Sequence, residues 1–567
     1  MKTIAQLLVT SALLACTKPA PAEPAAEADV QAADAPLADG AVVSDAQSDA
    51  AADASADAGT DAVADAGVVL PPGPPLPTQR GWQLGRTVVH IHSPYSHDAC
   101  DGEVSKLGTI NAQCFAQLRA GLCASGLDVA FLTDHPGTMN SRTFEQLLLF
   151  DAKAGDELQG PVGKPYGNAI TCPAASGVPE REVVVAVGFE STHLMPVGLH
   201  AHVTQSAMEG GSLSDAVTLS DARARVDMAH AAGALVVNAH SEEEEIGFQR
   251  LIDAGVDAME IYNIHANFNA ILGKSGAAGG KATLNLGRVF ELENFLGPPE
   301  DSPLPGLLLL VMLDVQPEAA FAKWQRVLGY KHVTGLLGND VHQNVTLEAY
   351  CGPGGQFEGA CDGFKDQYPH LVKLLTEGGT PMLADGARID SYPRMLQSIS
   401  DRPLVPAATL LGDRLEAFKG ALVAGRNWIV FDLLGEPTDF DFLGEKDGKF
   451  YEMGETVPLG TRLWLRTPSS CAPPPWMPWT LAETQNPSDL TETRTLVWYI
   501  APQAEKAENI MEVKGFAQAL QFKPTKPGRY HLETRIVPRH LRKWLKALGD
   551  HAAIEQRWLV SNPIEIK

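Results

Sequence analysis

The chain has 567 residues, 45% of them hydrophobic, so it is long enough to bury two or three cores and is no small stapled scaffold. With 69 acidic against 44 basic residues its formal charge is −25, which excludes a broad nucleic-acid-binding surface. After Leu14 no stretch is long and apolar enough to form a membrane-spanning helix.

The chain opens with Lys2 and an apolar run from Ile4 to Leu14, too short to span a bilayer. The Leu13-Leu14-Ala15-Cys16 that closes this run resembles a bacterial lipobox, which implies a cleaved signal over residues 1–16 and a lipid on Cys16. Thr17, rather than an aspartate, then favours outer-membrane delivery in a Gram-negative cell. The expected location is extracytoplasmic, with the lipid anchor as the membrane contact. Residues 17–80 are Ala, Asp, Pro and Gly with almost no large apolar side chains, as in "SDAAADASADAGTDAVADAG". Such a segment buries too little surface to offset its ordering entropy and predicts a disordered tether, which also carries a good part of the negative charge.

Of the eight cysteines, Cys16 is assigned to the lipid, which leaves an odd number for disulfides. Short separations suggest the pairs Cys114/Cys123 and Cys351/Cys361. No CxxC occurs, which argues against a cysteine zinc site.

From residue 81 the composition turns globular. The run "TVVHIH" predicts a strand ending in His90 and His92, which alternation places on one face. "LDVAFLTDH" ends in Asp134 and His135, and "EVVVAVGFE" in Glu190. "GLHAHV" offers His200 and His202, again two apart; "GALVVNAH" ends in His240, and after "VDAMEIYN" the run "VTGLLGNDVH" ends in Asp340 and His342. Segments 220–232 and 321–329 read as helices. Near-continuous apolar strands alternating with helices predict a parallel sheet covered on both faces, and their number suits a βα barrel over residues 81–426. In such a barrel function sits at the C-terminal strand ends, where this sequence puts its histidines and acids. A single strand-end imidazole is more often a loop anchor than a ligand. The series together supplies nitrogen and oxygen ligands for two or three ions. From residue 427 the runs "NWIVFDLL", "RLWLRTP", "TRTLVWYIAP", "GRYHLETRIV" and "RWLVSNPIEI" predict a small β-sandwich, with Trp464, Trp498 and Tyr499 as core residues or, alternatively, as a stacking surface for a carbohydrate.

The motifs "HIHSPYSHDACDG", "GLDVAFLTDH", "GFE", "HAAGALVVNAH" and "GNDVH" resemble, in family order, those of the PHP (polymerase and histidinol phosphatase) superfamily of metal-dependent phosphoesterases. "ADGARIDSY" and the ending "RWLVSNPIEI" resemble extracytoplasmic members with a β-rich appendage. The resemblance implies an α/β fold, a distorted (β/α)7 TIM-like barrel followed by the small β domain. It also implies two to three divalent ions (Zn, Mn or Fe) and hydrolysis of a phosphomonoester or phosphodiester by a metal-activated hydroxide. Matched to the family ligands are His90, His92, His135, Glu190 as the bridging acid, His240, Asp340 and His342. The first-motif acid is Asp98, which fits the spacing, or Asp101, which keeps the usual Asp-Gly, with His97 a further candidate. The histidine after the glutamate is His200, with His202 and His193 as rivals. The usual His-Pro of the third motif is His240-Ser241 here.

Glu190 then holds the nucleophile, Asp134 orients a ligand or accepts a proton, and His97 protonates the leaving group. Arg142 and Arg388 are candidate phosphate clamps. The run Glu242 to Glu245 reads as a solvated turn, with an extra ion or a filter for cationic substrates as the alternative, and His230 as helix packing. The expected partner is a small phosphorylated substrate, chosen by loops such as 151–182 and 268–303. Two alternatives belong to other classes, an amidohydrolase-type metalloenzyme and a non-catalytic surface protein that binds glycans or metal.

Overall fold

The aliphatic runs of the sequence form strands buried on both faces. In the computed structural model the described residues are 75–102, 109–139, 142–174, 180–203, 213–243, 245–271, 286–312, 318–355, 358–359, 361–485 and 490–567. Cys16, the signal and most of the expected tether lie outside them. The folded part begins before residue 81: Pro77–Arg80 form a helical turn, and the Arg80 guanidinium reaches Asp441 at 2.6 Å and Glu452 at 2.7 Å.

Eight strands carry the candidate site: β1 (Thr87–Ile91), β2 (Val129–Leu132), β3 (Gly167–Cys172), β4 (Arg181–Val187), β5 (Leu194–Val197), β6 (Leu235–Asn238), β7 (Ala258–Asn263) and β8 (Thr334–Val341). Their order in the sheet is β5-β6-β7-β8-β1-β2-β4-β3, with β6 through β4 mutually parallel and β5 and β3 antiparallel at the two edges. Helices α1 (Ala112–Ala124), α2 (Leu219–Ala231), α3 (Phe248–Ala254), α4 (Ile264–Ile271) and α5 (Glu318–Leu328) lie in the connections between strands; all but α2, which joins antiparallel β5 and β6, supply the crossovers that parallel pairing requires.

The expected closed barrel is corrected to a large mixed sheet. Among the described residues no strand ladder joins β4 to β5; the backbone bonds Phe189 N–H to Pro196 O (3.1 Å), Leu199 N–H to Val187 O (2.8 Å) and the reciprocal pair of Ser191 and Leu194 (2.9 and 3.0 Å) cross there. The reason is local. The chain turns from β4 straight into β5 with no helix between them, so the strand-helix alternation fails at this point.

Beyond β8 come helix α6 (Tyr392–Leu396), β9 (Ser400–Pro406), α7 (Arg414–Val423) and β10 (Asn427–Val430). β10 pairs with β9 and also with a strand at Gln556–Ser561, so the sheet continues through residue 427. The β-rich region adds a four-stranded antiparallel sheet of Asp441–Lys446, Lys449–Tyr451, Arg462–Arg466 and Ala519–Phe522, which packs Phe442, Leu463 and Leu465 against Val497 and Leu532. Trp498 donates its indole N–H to Glu533 at 2.9 Å.

Disulfides join Cys100 to Cys114, Cys123 to Cys172 and Cys351 to Cys361, and Cys471 is free and buried. The expected Cys351/Cys361 pair is present and Cys114/Cys123 is not. Both of the latter lie on α1, where nine residues of helix rise about 13 Å, beyond the reach of a disulfide.

Burial lowers the pKa of His531 to about 4 and that of His540 to about 3, against an ordinary 6.5. Both are therefore neutral in the folded protein where the unfolded chain would already bind protons. The unfolded state gains protons first, so stability is expected to fall as pH drops from 6.5 towards 4. Urea midpoints across that range check this, with His531→Gln flattening the slope. Equal midpoints throughout would refute it.

Candidate metal centre

His90 and His92 end β1, Glu190 follows β4, and Asp340 sits near the end of β8. His90 Nε2 lies 3.2 Å from both Glu190 Oε2 and Asp340 Oδ1, and His92 Nε2 lies 3.3 and 3.4 Å from the same two oxygens. Ligands held about 2.0–2.1 Å from a tetrahedral ion stand about 3.3–3.4 Å apart, so the spacing suits one divalent cation. His90 Nε2, His92 Nε2 and Asp340 Oδ1 are buried with no hydrogen-bond partner, which is the state of ligand atoms awaiting an ion.

Simple strand alternation is not what aims these groups. The ladder of β1 with β2 shifts register between Val88 and Ile91, and that of β1 with β8 shifts between Gly338 and Val341, opposite Val89 and Ile91. His90 (φ 66°), His240 (φ 50°) and Asp340 (φ 50°) all occupy the left-handed region, unfavourable for residues other than glycine. Bulges and strained backbone at three strand ends turn the side chains inward, a cost that functional sites commonly carry.

A second group adjoins the first. Asp98 Oδ2 is 3.0 Å from His342 Nε2 and 3.3 Å from His135 Nε2, and the His92 and His342 rings stack at 3.9 Å. His92, Asp98, His135 and His342 offer ligand atoms within 4.8 Å of one another. Glu190 spans the arrangement: its Oε2 is 3.6 Å from His135 Nε2, while its Oε1 is 2.9 Å from His240 Nε2. Of the first-motif alternatives, Asp98 is therefore the acid at the site. Asp101 is turned away into an ion pair with Arg388.

In five imidazoles Nδ1 is held by a neighbour and Nε2 is left for the interior. Nδ1 of His90 donates to Glu260 Oε1 (2.6 Å), that of His135 to the Glu190 carbonyl (3.1 Å) and that of His342 to the Asp340 carbonyl (3.0 Å). His92 Nδ1 meets Ser96 Oγ (3.2 Å) and His240 Nδ1 meets Glu242 Oε1 (3.3 Å). This is how proteins orient histidine ligands. Burial opposes charge on His90 and His92, but the carboxylates of Asp340 and Glu190 outweigh it, raising His90 well above its ordinary value and His92 to about 10. Burial likewise opposes charge on Glu190 and Asp340, and the imidazoles reverse it, holding both carboxyls well below the usual range.

Two contributors were not read from the sequence. Glu260, fully buried in the apolar run of β7, accepts from His90 Nδ1 with one oxygen and from the His240 backbone N–H with the other (2.9 Å). It fits only because residue 338 is glycine, since a Cβ there would stand 2.1 Å from Glu260 Oε1. His265, in the first turn of α4, groups with Asp340 and His342, and burial lowers its pKa to about 4. The signal available was "NIH" directly after a strand. Glu260→Gln should weaken metal binding by about 10–100-fold while preserving the fold, because the imidazole it orients loses its fixed tautomer. Equilibrium dialysis against a competing chelator reads this, and unchanged affinity would contradict the role.

Several expected residues lie elsewhere. His200 is replaced as a candidate: β5 runs antiparallel, so His200, beyond its far end, sits at the opposite end of the sheet against Glu416 and Lys419 (both 2.8 Å). His202 is exposed and bonds to the Arg142 carbonyl at 3.2 Å. His193, at the near end of β5, points its Nε2 to Glu243 Oε2 at 2.5 Å. Asp134 is used as a loop tie: both its oxygens take Ser93 groups, the N–H and the hydroxyl, each at 2.6 Å. His97 is half-exposed, its ring 4.8 Å from that of His135, and burial with the neighbouring imidazoles outweighs Asp98 and lowers its pKa. Arg142 lies 5.5 Å over the Tyr95 ring. Arg388 is removed from the phosphate-clamp role, because Asp101 (2.6 Å) and Asp390 (3.0 Å) occupy its guanidinium.

No protein-family model matches the chain, and no curated protein matches it. Among solved structures it is similar to a two-domain protein containing a predicted PHP-like metal-dependent phosphoesterase from Bacteroides vulgatus. The likeness covers 86% of this chain and 96% of that one at 12% identity, with a TM-score of 0.26. At that score it carries no argument, and the functional reading rests on the geometry above. Groups of His, Asp and Glu that can hold metal ions are present. No described helix is long and apolar enough to cross a membrane.

Proposed function

We propose that the chain is a metal-dependent hydrolase of phosphate esters. The observation that carries the reading is the pair of adjoining ligand sets that share His92: His90, His92, Glu190 and Asp340 in one, and His92, Asp98, His135 and His342 in the other, with Glu190 also 3.6 Å from His135. His240 with Glu190 offers part of a third position. The imidazole and carboxylate donors suit zinc, manganese or iron. When bound, such ions supply Lewis acidity, lowering the pKa of a water and neutralising charge on a phosphoryl group.

The chain's own part is to hold this charge in place. Glu190 turns Oε2 to His90, His92 and His135 and Oε1 to His240, and Glu260 and the Asp340 and Glu190 carbonyls fix the rings, so little reorganisation is needed when a phosphate enters. Arg142, whose Nε is buried without a partner, is the guanidinium proposed to contact the substrate phosphate. Lipid anchoring through Cys16 and an extracytoplasmic location belong to the same proposal. Three disulfides support it, since such bonds persist in oxidising compartments.

The test is turnover of bis(p-nitrophenyl) phosphate and p-nitrophenyl phosphate by protein reconstituted with zinc, manganese or iron, beside a His90→Ala/His92→Ala variant. Metal-dependent release of p-nitrophenol, absent from the variant, is expected. Bound metal without turnover of either ester would favour a storage or binding protein. Cleavage of a cyclic amide but not of these esters would favour the amidohydrolase class.

A further inference from the structure

A cavity of about 580 Å3, within the size range of small-molecule sites, opens beside the metal centre. It is built where α1 and α6 meet residues 304–306 and 476–477, and none of the candidate ligands lines it. Gln343 forms the partition. It follows His342, lines both this cavity and the small space beside His265, Asp340 and His342, and donates its amide to Gln117 Oε1 at 2.5 Å.

The charges on its walls are already compensated. Arg388 is bound by Asp101 and Asp390, and Arg394 by Asp385 at 2.8 Å. An anionic or cationic occupant would find no opposite charge to pair with, and its desolvation would go unrepaid. What the walls do offer is apolar surface from Leu304, Met382, Trp476 and Met477, and the carboxamides of Gln113 and Gln117. Trp476 carries the Arg86 guanidinium 4.5 Å from its ring centroid, and its indole N–H is buried with no acceptor in the protein. Apolar and aromatic surface beside carboxamides, which both donate and accept, matches a molecule with C–H faces and a rim of hydroxyls.

We propose that this cavity is a second binding site, separate from the metal centre, for a neutral polyhydroxylated molecule of one or two sugar rings. The proposal does not depend on the hydrolase reading. It bears on the metal centre in one respect: an occupant touches Gln343 and Arg388, which sit one residue from His342 and, through Asp101, three residues from Asp98.

The experiment is calorimetric titration of the full chain with glucose, N-acetylglucosamine and maltose, and with glucose 6-phosphate and glucosamine as charged counterparts. Ala120→Trp blocks the site from an exposed position of α1 that lines the cavity, and Gln113→Ala, also exposed on α1, removes one carboxamide without adding bulk. Saturable binding of at least one neutral sugar is expected, lost in Ala120→Trp, weakened about tenfold in Gln113→Ala, and accompanied by unchanged metal content in both variants. Absence of binding by every neutral sugar, equal binding by wild type and both variants, or tighter binding of the charged sugars would overturn the proposal.

Discussion

Glu190→Gln is expected to remove at least one metal ion per chain and to lower phosphodiester turnover by on the order of 1,000-fold, well beyond the 10–100-fold typical of residues behind the ligands. Glu190 is buried, its Oε2 lies 3.2–3.6 Å from three imidazoles, and its Oε1 is 2.9 Å from a fourth. An amide keeps the shape but carries no charge, and its NH2 end would face an imidazole nitrogen or the cation itself. The same change takes the glutamate from the set of His90, His92 and Asp340, while His92, Asp98, His135 and His342 keep their own donors beside it. Inductively coupled plasma mass spectrometry gives the metal count, p-nitrophenol release gives the rate, and circular dichroism shows whether the fold survives. A well-folded Glu190→Gln protein with wild-type metal content would remove this carboxylate from the site and the hydrolase reading with it.

The seven strand-end residues His90, His92, His135, Glu190, His240, Asp340 and His342 were legible in the sequence because each closes an apolar run, and the C-terminal ends of parallel strands share one end of a sheet. Spacing favoured Asp98 and the Asp-Gly pair favoured Asp101, so the sequence left both open. The choice is made by the ion pair of Asp101 with Arg388, a contact of residues 287 positions apart. His200 was misplaced because strand direction is not written in composition: antiparallel β5 delivers His193 to the site end and carries His200 away from it. Glu260 was passed over because a lone acid in an apolar strand carries no local sign of its partner, which comes from β1. The bulges at His90 and Asp340 were equally hidden, since register depends on both paired strands.

The other large effect is expected at the disulfide between Cys100 and Cys114. The loop that follows β1 carries Asp98, and it is pinned in three ways: Cys100 N–H bonds to the His342 carbonyl at 2.9 Å, Asp101 N–H to the Gln343 carbonyl at 3.3 Å, and the disulfide fastens the loop to α1. A bridge closing a loop of this length restricts the unfolded chain by about 3 kcal/mol, so replacing both cysteines with serine should lower stability by that order. The consequence for metal is selective. His90, His92, Glu190 and Asp340 make no covalent use of the loop and should keep their ion, whereas Asp98 loses a tether two residues away, so the set with His135 and His342 should empty first. The Cys100→Ser/Cys114→Ser protein is therefore expected to bind about one ion fewer than wild type and to unfold at lower urea, with the tightest-bound ion retained at wild-type affinity. Metal titration followed by the unfolding midpoint separates the two effects. Loss of stability with the full metal count would make the bridge a structural staple alone, and loss of every ion together would show that the two ligand sets fill as one unit.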